Sequence, residues 1–193
     1  MERKLGRFSV IAAVILTAGA VGLNTLIMGR AVILLNIGLI ASLLAWSAAG
    51  VGQTQPHRLV GPLFLASIAV HMLHLIEEYG GRFYELLPAL FDQDPWQPQR
   101  FVVFNLVWIG IFLVATVGVF KRVRLAYLAV WFMALVGGIG NAIFHTWLAI
   151  QSAGYAPGVA TALINLPLGI ALVYFLCQPK WQDPASRRGR ATE

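Results

Sequence analysis

Six apolar stretches, at about residues 8–28, 31–51, 59–76, 101–120, 125–150 and 155–176, dominate this chain. Most approach the ~20 residues that an α-helix needs to cross the hydrocarbon core of a bilayer. In lipid a helix satisfies its own backbone donors and acceptors. The third stretch is the least clean, because Gly61 and Pro62 lie near its start; proline in a first helical turn removes no needed donor, and five helices remain the competing count. Composition agrees with a membrane protein. Of 193 residues, 59% are hydrophobic and 11% charged, with a mean hydropathy of +0.75, against roughly 45–50% apolar and about 25% charged for a soluble domain. The expectation is an all-α polytopic bundle of six transmembrane helices, a single domain over 1–178, with a basic, disordered tail over 179–193. Ala18-Gly19-Ala20 after a basic start looks like a signal-peptidase site, but the apolar run continues past it, so a retained first helix is expected.

Lys and Arg orient such a chain, because they collect on cytoplasmic flanks. Arg3, Lys4, Arg7, Arg58, Lys121, Arg122, Arg124, Lys180, Arg187, Arg188 and Arg190 fall on one side of a six-helix arrangement, eleven of the fourteen basic residues. Arg30, Arg82 and Arg100 fall on the other. Both termini are therefore expected in the cytoplasm of a multi-pass cell-membrane protein. The net charge of +6 then reflects topology, and no basic cluster interleaved with aromatics points to nucleic acid. The one cysteine, Cys177, has no partner in the chain, which excludes an internal disulfide and a thiolate metal site.

Five of the eight acidic residues, Glu77, Glu78, Glu85, Asp92 and Asp94, lie in the connection at about 77–100. Its aromatic and leucine residues among three prolines read as a short interfacial or re-entrant element on the outer side, with a plain polar loop as the competing reading.

The preceding helix ends in VHMLHLIEEYGGRF, residues 70–83. Ionisable groups in a membrane helix must be solvated, paired or bound. At about 100° per residue with His71 at zero, His74 lies near −60°, Glu78 near −20° and Arg82 near +20° if the helix persists, while Glu77 lies near −120°. His74 and Glu78, spaced i, i+4, can share one ion, and two imidazoles with a carboxylate suit zinc or ferrous iron. In the fifth helix Asn141 and His145 again share a face. Under the six-helix topology these groups and Asn105 come to similar depth in one leaflet, and Gly137, Gly138 and Gly140 would let a neighbouring helix approach closely. Further on, Gly154, Pro157 and Gly158 mark a tight turn, with Tyr155 either a belt aromatic or a hydroxyl aimed at the site.

His74-Leu75-Ile76-Glu77-Glu78, then His145, then Tyr155-Ala156-Pro157-Gly158 form an ordered HxxEE, His, YxPG set. In this the chain resembles the HXXEE family of integral membrane proteins, over about residues 60–175. The resemblance points to His74, Glu77, Glu78, His145, Tyr155, Pro157 and Gly158; His71 lies outside the motif and is kept as a secondary candidate ligand. Glu77 to Arg82 is also similar to the EExxxR motif of the CAAX-protease family. The later motifs of that family are not matched, so the likeness is one of site design.

Two functions follow as expectations. The first is a membrane metalloenzyme, hydrolase-like or an iron-dependent oxidase, acting on an amphipathic or lipid-like substrate. In it His74, Glu78 and His145 hold a divalent metal, Glu77 is general base or outer-shell carboxylate, and Arg82 and Asn141 orient a polar group. The second is a small proton- or metal-coupled transporter without catalysis. No ionisable residue lines the inner half of the helices, which favours a one-sided site. A hydrogen-bonded structural knot, with Glu78 and Arg82 paired, is the remaining possibility.

Overall fold

The computed structural model describes residues 2–49 and 57–178. The 179–193 tail lies outside them. Among the described residues every regular element is helical.

The first apolar tract runs unbroken over Phe8–Ala49, 42 residues; as one straight helix it would be about 63 Å long, twice a bilayer core. It folds back instead. Helix α1 (Glu2–Met28) gives way to a 3-10 turn at Gly29–Val32 and then to α2 (Ile33–Ala49). Gly29 makes the turn at φ +74°, a region open to glycine at little cost. Asn24 Nδ2 donates to Asn36 Oδ1 at 3.1 Å and Asn36 Nδ2 to Thr25 Oγ1 at 2.9 Å, which clasps the hairpin with side-chain amides where water is scarce. Five apolar tracts thus give the six crossing segments expected from the sequence.

Helix α3 (Val60–Gly80) carries Pro62 in its first turn, where no intrahelical donor is lost. It ends as Gly81 N–H returns to Glu77 O at 3.0 Å and Arg82 turns left-handed at φ 58°. A short helix, α4 (Phe83–Ala89), follows and buries Phe83 and Pro88. The chain then hooks back onto the first hairpin. Trp96 Nε1 donates to Met28 O at 3.0 Å, and Ala31 N–H donates to Gln93 Oε1 at 2.7 Å. The 77–100 segment is therefore a folded cap over one end of the bundle.

Helix α5 (Pro98–Phe120) begins with proline at its first position. The fifth crossing, Ala126–Gln151, has three parts: α6 (Ala126–Phe132), a π-helical segment Met133–Gly140, and α7 (Asn141–Gln151). The last crossing is α8 (Val159–Cys177). The π segment sits where glycines bring helices together. A Cβ on Gly138 would lie 2.6 Å from Gly169 Cα, and one on Gly169 would lie 2.8 Å from Ala134 O. Asn165 Nδ2 donates to Gly137 O at 3.0 Å, and its Oδ1 accepts from Ser67 Oγ at 2.8 Å. That amide joins α3, α8 and the π segment, supplying a partner to a carbonyl in irregular helix.

Two apolar clusters result. One holds Trp46, Phe64, Phe112 and Trp131; near its end Trp46 Nε1 donates to Arg124 O at 3.0 Å. The other, under the cap, holds Met28, Phe83, Trp96 and Phe101. Large aliphatic side chains face outward, Leu26 at 82% and Val114 at 75% exposure, as a lipid-facing surface requires.

Candidate metal centre under the cap

His74 and Glu78, one turn apart near the end of α3, meet His145 of α7. All three are buried, at 1%, 6% and 1% exposure. Glu78 Oε1 lies 3.3 Å from His74 Nε2 and 3.3 Å from His145 Nε2. One ligand atom from each residue falls within 4.8 Å of the others.

The far side of each imidazole fixes its proton. His145 Nδ1 is 2.6 Å from Pro157 O; a carbonyl only accepts, so Nδ1 carries hydrogen. His74 Nδ1 is 3.0 Å from Thr161 Oγ1, and the Thr161 hydroxyl donates its one proton to Glu77 Oε2. The hydroxyl oxygen must therefore accept from His74 Nδ1–H. Each ring in its neutral form then turns an Nε2 lone pair toward the same carboxylate oxygen, an arrangement that a cation between them would complete; the Asn141 amide also reaches His74 Nε2, at 3.2 Å. A charge-assisted N–H···O bond would close to about 2.7–2.9 Å. The observed 3.3 Å matches the edge, near 3.3 Å, of a tetrahedron about an ion held at about 2.0–2.1 Å. The donor set fits zinc or ferrous iron.

Glu77 stands apart from the cluster. Its carboxylate accepts from the Tyr155 hydroxyl, from Ala160 N–H at 3.1 Å, from Thr161 N–H at 2.9 Å and from the Thr161 hydroxyl. Ala160 and Thr161 are the second and third residues of α8, whose cap residue, Gly158, has no side chain. Glu77 thus caps α8 from another helix, and its charge suits the positive end of that helix. With four donors engaged, the Glu77 carboxylate is held at the start of α8. Burial of its hydroxyl end and the bond to Glu77 push Tyr155 up to about 12, so it stays a donor at neutral pH. The Tyr155 hydroxyl thus meets Glu77 while the residue as a whole is 65% exposed.

Gly158 is shaped by the same constraint. It adopts φ +90°, and a Cβ there would lie 2.7 Å from Cε1 of both His74 and His145. A Cβ on Gly81 would lie 2.5 Å from Pro157, so the α7–α8 turn seats on the end of α3.

Two further expectations change. Arg82 follows the break at Gly81, its side chain is 69% exposed, and it pairs with Glu85 at 2.6 Å; it reaches neither Glu78 nor the imidazoles, and the EExxxR likeness loses its arginine. His71 is not among the three converging ligands. Its ring stacks at 5.6 Å centroid separation on His74, and its Nδ1 is buried without a hydrogen-bond partner. Asn141 is at the cluster, its Nδ2 3.2 Å from His74 Nε2; turned over, the same amide would present its oxygen. Asn105 lies in the wall of the neighbouring cavity, with its amide on Phe101 O at 2.9 Å. Sequence reasoning missed Thr161 and the Pro157 carbonyl. The signal available was Thr161's place three residues into a helix that lacks a capping side chain.

A cavity of about 460 Å³ reaches Glu78 and His145 from between α2, α5 and α7. Its other walls are mainly aliphatic and aromatic, including Leu35, Phe104 and Trp108.

Residues 65–172 match the family described as "Protein of unknown function with HXXEE motif". No curated protein and no solved structure matches the chain. The match covers more than half of the sequence and takes in the HxxEE, histidine and YxPG positions that meet at this centre, and on that ground the chain belongs to the HXXEE family.

Proposed function

We propose that this protein is a membrane-embedded metalloenzyme, hydrolase-like in chemistry, acting on an amphipathic, lipid-like substrate. The observation that carries the reading is the pair of Nε2 atoms, each 3.3 Å from one Glu78 oxygen, with both Nδ1 positions already committed elsewhere. His74, Glu78 and His145 would hold zinc or ferrous iron. Such an ion supplies Lewis acidity and lowers the pKa of a water beside it. The chain's own groups do the rest. Thr161 and the Pro157 carbonyl hold the imidazoles in the ligating tautomer. Glu77 keeps the α7–α8 turn in place. Asn141 offers an amide toward the reacting group, and the cap excludes water from above.

The Lys and Arg bias puts this end of the bundle on the outer side. A reporter fused at the C-terminus is expected to be cytoplasmic, and an external C-terminus would overturn that orientation. A conduit for protons or metal is disfavoured by the Ser67–Asn165–Gly137 knot, which closes the bundle about two turns below His74.

Elemental analysis of chelator-rinsed protein tests the metal centre. About one ion per chain is expected in the unmodified protein and almost none in His74→Ala or His145→Ala. Sub-stoichiometric metal that is equal in all three would overturn the reading.

A further inference from the structure

We infer that the cavity beside the candidate metal centre binds a single-chain amphiphile, and that its head lies on the polar wall formed by His71, Glu78, Asn141 and His145. Calling this molecule the substrate rests on the function proposed above; the binding site itself stands on separate observations.

Shape comes first. Along α5 the cavity lining runs from Phe101 to Phe112, a rise of about 16 Å. A volume of about 460 Å³ over that length gives a mean cross-section of about 28 Å². A polymethylene chain in contact with its neighbours at about 4.0–4.5 Å occupies on the order of 20 Å². One chain fits. A helical peptide, about 10–12 Å across, is far too wide.

Polarity comes second. The deep end is closed by Phe112, Phe132 and Val136, all apolar. Polar groups gather on the bundle side of the wall: Glu78, Asn141, His145 and His71. Apolar length with polar groups concentrated along one wall is the complement of an aliphatic chain with one polar head. Access comes third. Leu34 and Ile37 of α2 and Ile143 and Trp147 of α7 line the cavity yet are 48%, 55%, 66% and 45% exposed. They form a rim open to the surface that faces lipid, so the occupant can come sideways from the bilayer.

His71 is one of the polar groups of that wall. It lines the cavity, and its Nδ1 is buried with no partner. His74 stacks on one side of the ring and Phe112 meets it edge-on at 6.3 Å, so the ring is held rather than free to turn. That Nδ1 is closed off from the cavity, so the ring borders an occupant through its remaining edge. A head group such as an amide, hydroxyl or carboxyl meets the polar groups of Glu78, Asn141 and His145 along the same wall.

The test uses the full chain in nanodiscs with two photoreactive probes, a diazirine-bearing fatty amide and a phosphatidylcholine carrying the same diazirine on one acyl chain. The expected result is saturable labelling by the fatty amide on cavity residues such as Phe104 and Val136, with the phosphatidylcholine labelling outward positions such as Val114. Leu35→Trp, which fills the cavity, should abolish the saturable labelling. His71→Phe, which keeps the shape, should weaken fatty-amide competition several-fold, up to about tenfold, and leave competition by the corresponding alkane unchanged. Labelling of the outer surface alone by both probes, or saturable labelling indifferent to Leu35→Trp, overturns the cavity assignment. Equal competition in His71→Phe overturns the role of His71. If Leu35→Trp is not monodisperse, the label map and His71→Phe decide. Metal content measured on the same samples separates the two proposals: cavity labelling without metal removes the metalloenzyme and keeps the site, whereas metal without cavity labelling removes the site alone.

Discussion

Glu78→Gln is expected to empty the metal centre while leaving the bundle folded. The substitution keeps the shape of the side chain and removes its charge. The single oxygen that lies 3.3 Å from both imidazole nitrogens then belongs to a neutral amide, a far weaker ligand for a divalent ion. Loss of an outer-shell partner alone costs about 10–100-fold in metal affinity; loss of a charged ligand should exceed that. Zinc titration of apo protein by calorimetry, beside elemental analysis, measures it. Stability should change little, because the glutamine amide can donate to one bare Nε2 and so replace part of what the ion provided. Full metal occupancy in Glu78→Gln would remove Glu78 from the ligand set. A wild-type protein that takes up no zinc would return the cluster to a hydrogen-bonded knot.

Gly158→Val should be the most damaging single change in the α7–α8 turn. Two costs add there. The left-handed conformation at φ +90° penalises any L side chain by roughly 1–2 kcal/mol, and more when it is β-branched. The new Cβ would also lie 2.7 Å from Cε1 of both His74 and His145, an overpacking worth about 1–3 kcal/mol. A loss of about 2–5 kcal/mol is expected in denaturant unfolding of the detergent-solubilised protein. Metal affinity should fall with it, because relief of the clash moves the Pro157 carbonyl from His145 and the start of α8 from Glu77. Gly158→Ala has the same Cβ and the same strained backbone without the β-branch, and should show a smaller loss of the same sign. Unchanged unfolding and metal content in both variants would refute the account of the YxPG turn.

The HxxEE and YxPG patterns acquire a physical meaning from these contacts. His74 and Glu78 are held by i, i+4 geometry, whereas Glu77 faces α8 and caps it. Tyr155 donates to Glu77, Pro157 offers the acceptor for His145, and Gly158 is the only residue that fits against both imidazoles. The motif therefore couples the end of α3 to the start of α8 through the centre it builds. Asn141 and Thr161 complete that coupling from α7 and from the third position of α8.

Much of this was legible in the chain. Apolar length gave the crossings, because a bilayer sets how many residues a helix must supply before it can turn. Helical periodicity put His74 and Glu78 on one face, because side-chain direction repeats every 3.6 residues. The depth argument brought His145 to them, because consecutive crossings alternate in direction. Arg82 was misplaced for a local reason: Gly81 releases the helix, and the angle projected beyond it no longer applied. Glu77 was half-read, since its angle excluded it from the ligands without revealing the α8 amides that occupy it. The tertiary fold alone decided which ring nitrogen of each imidazole meets a partner on the α7–α8 side, why Gly158 has no side chain, and that His71 borders a cavity and stands outside the His74–Glu78–His145 cluster. Several of those outcomes depend on contacts between segments more than eighty residues apart in sequence, such as His74 with Thr161 and Glu77 with Thr161. Periodicity within one helix cannot encode what a distant helix end brings to it, and the folded bundle can.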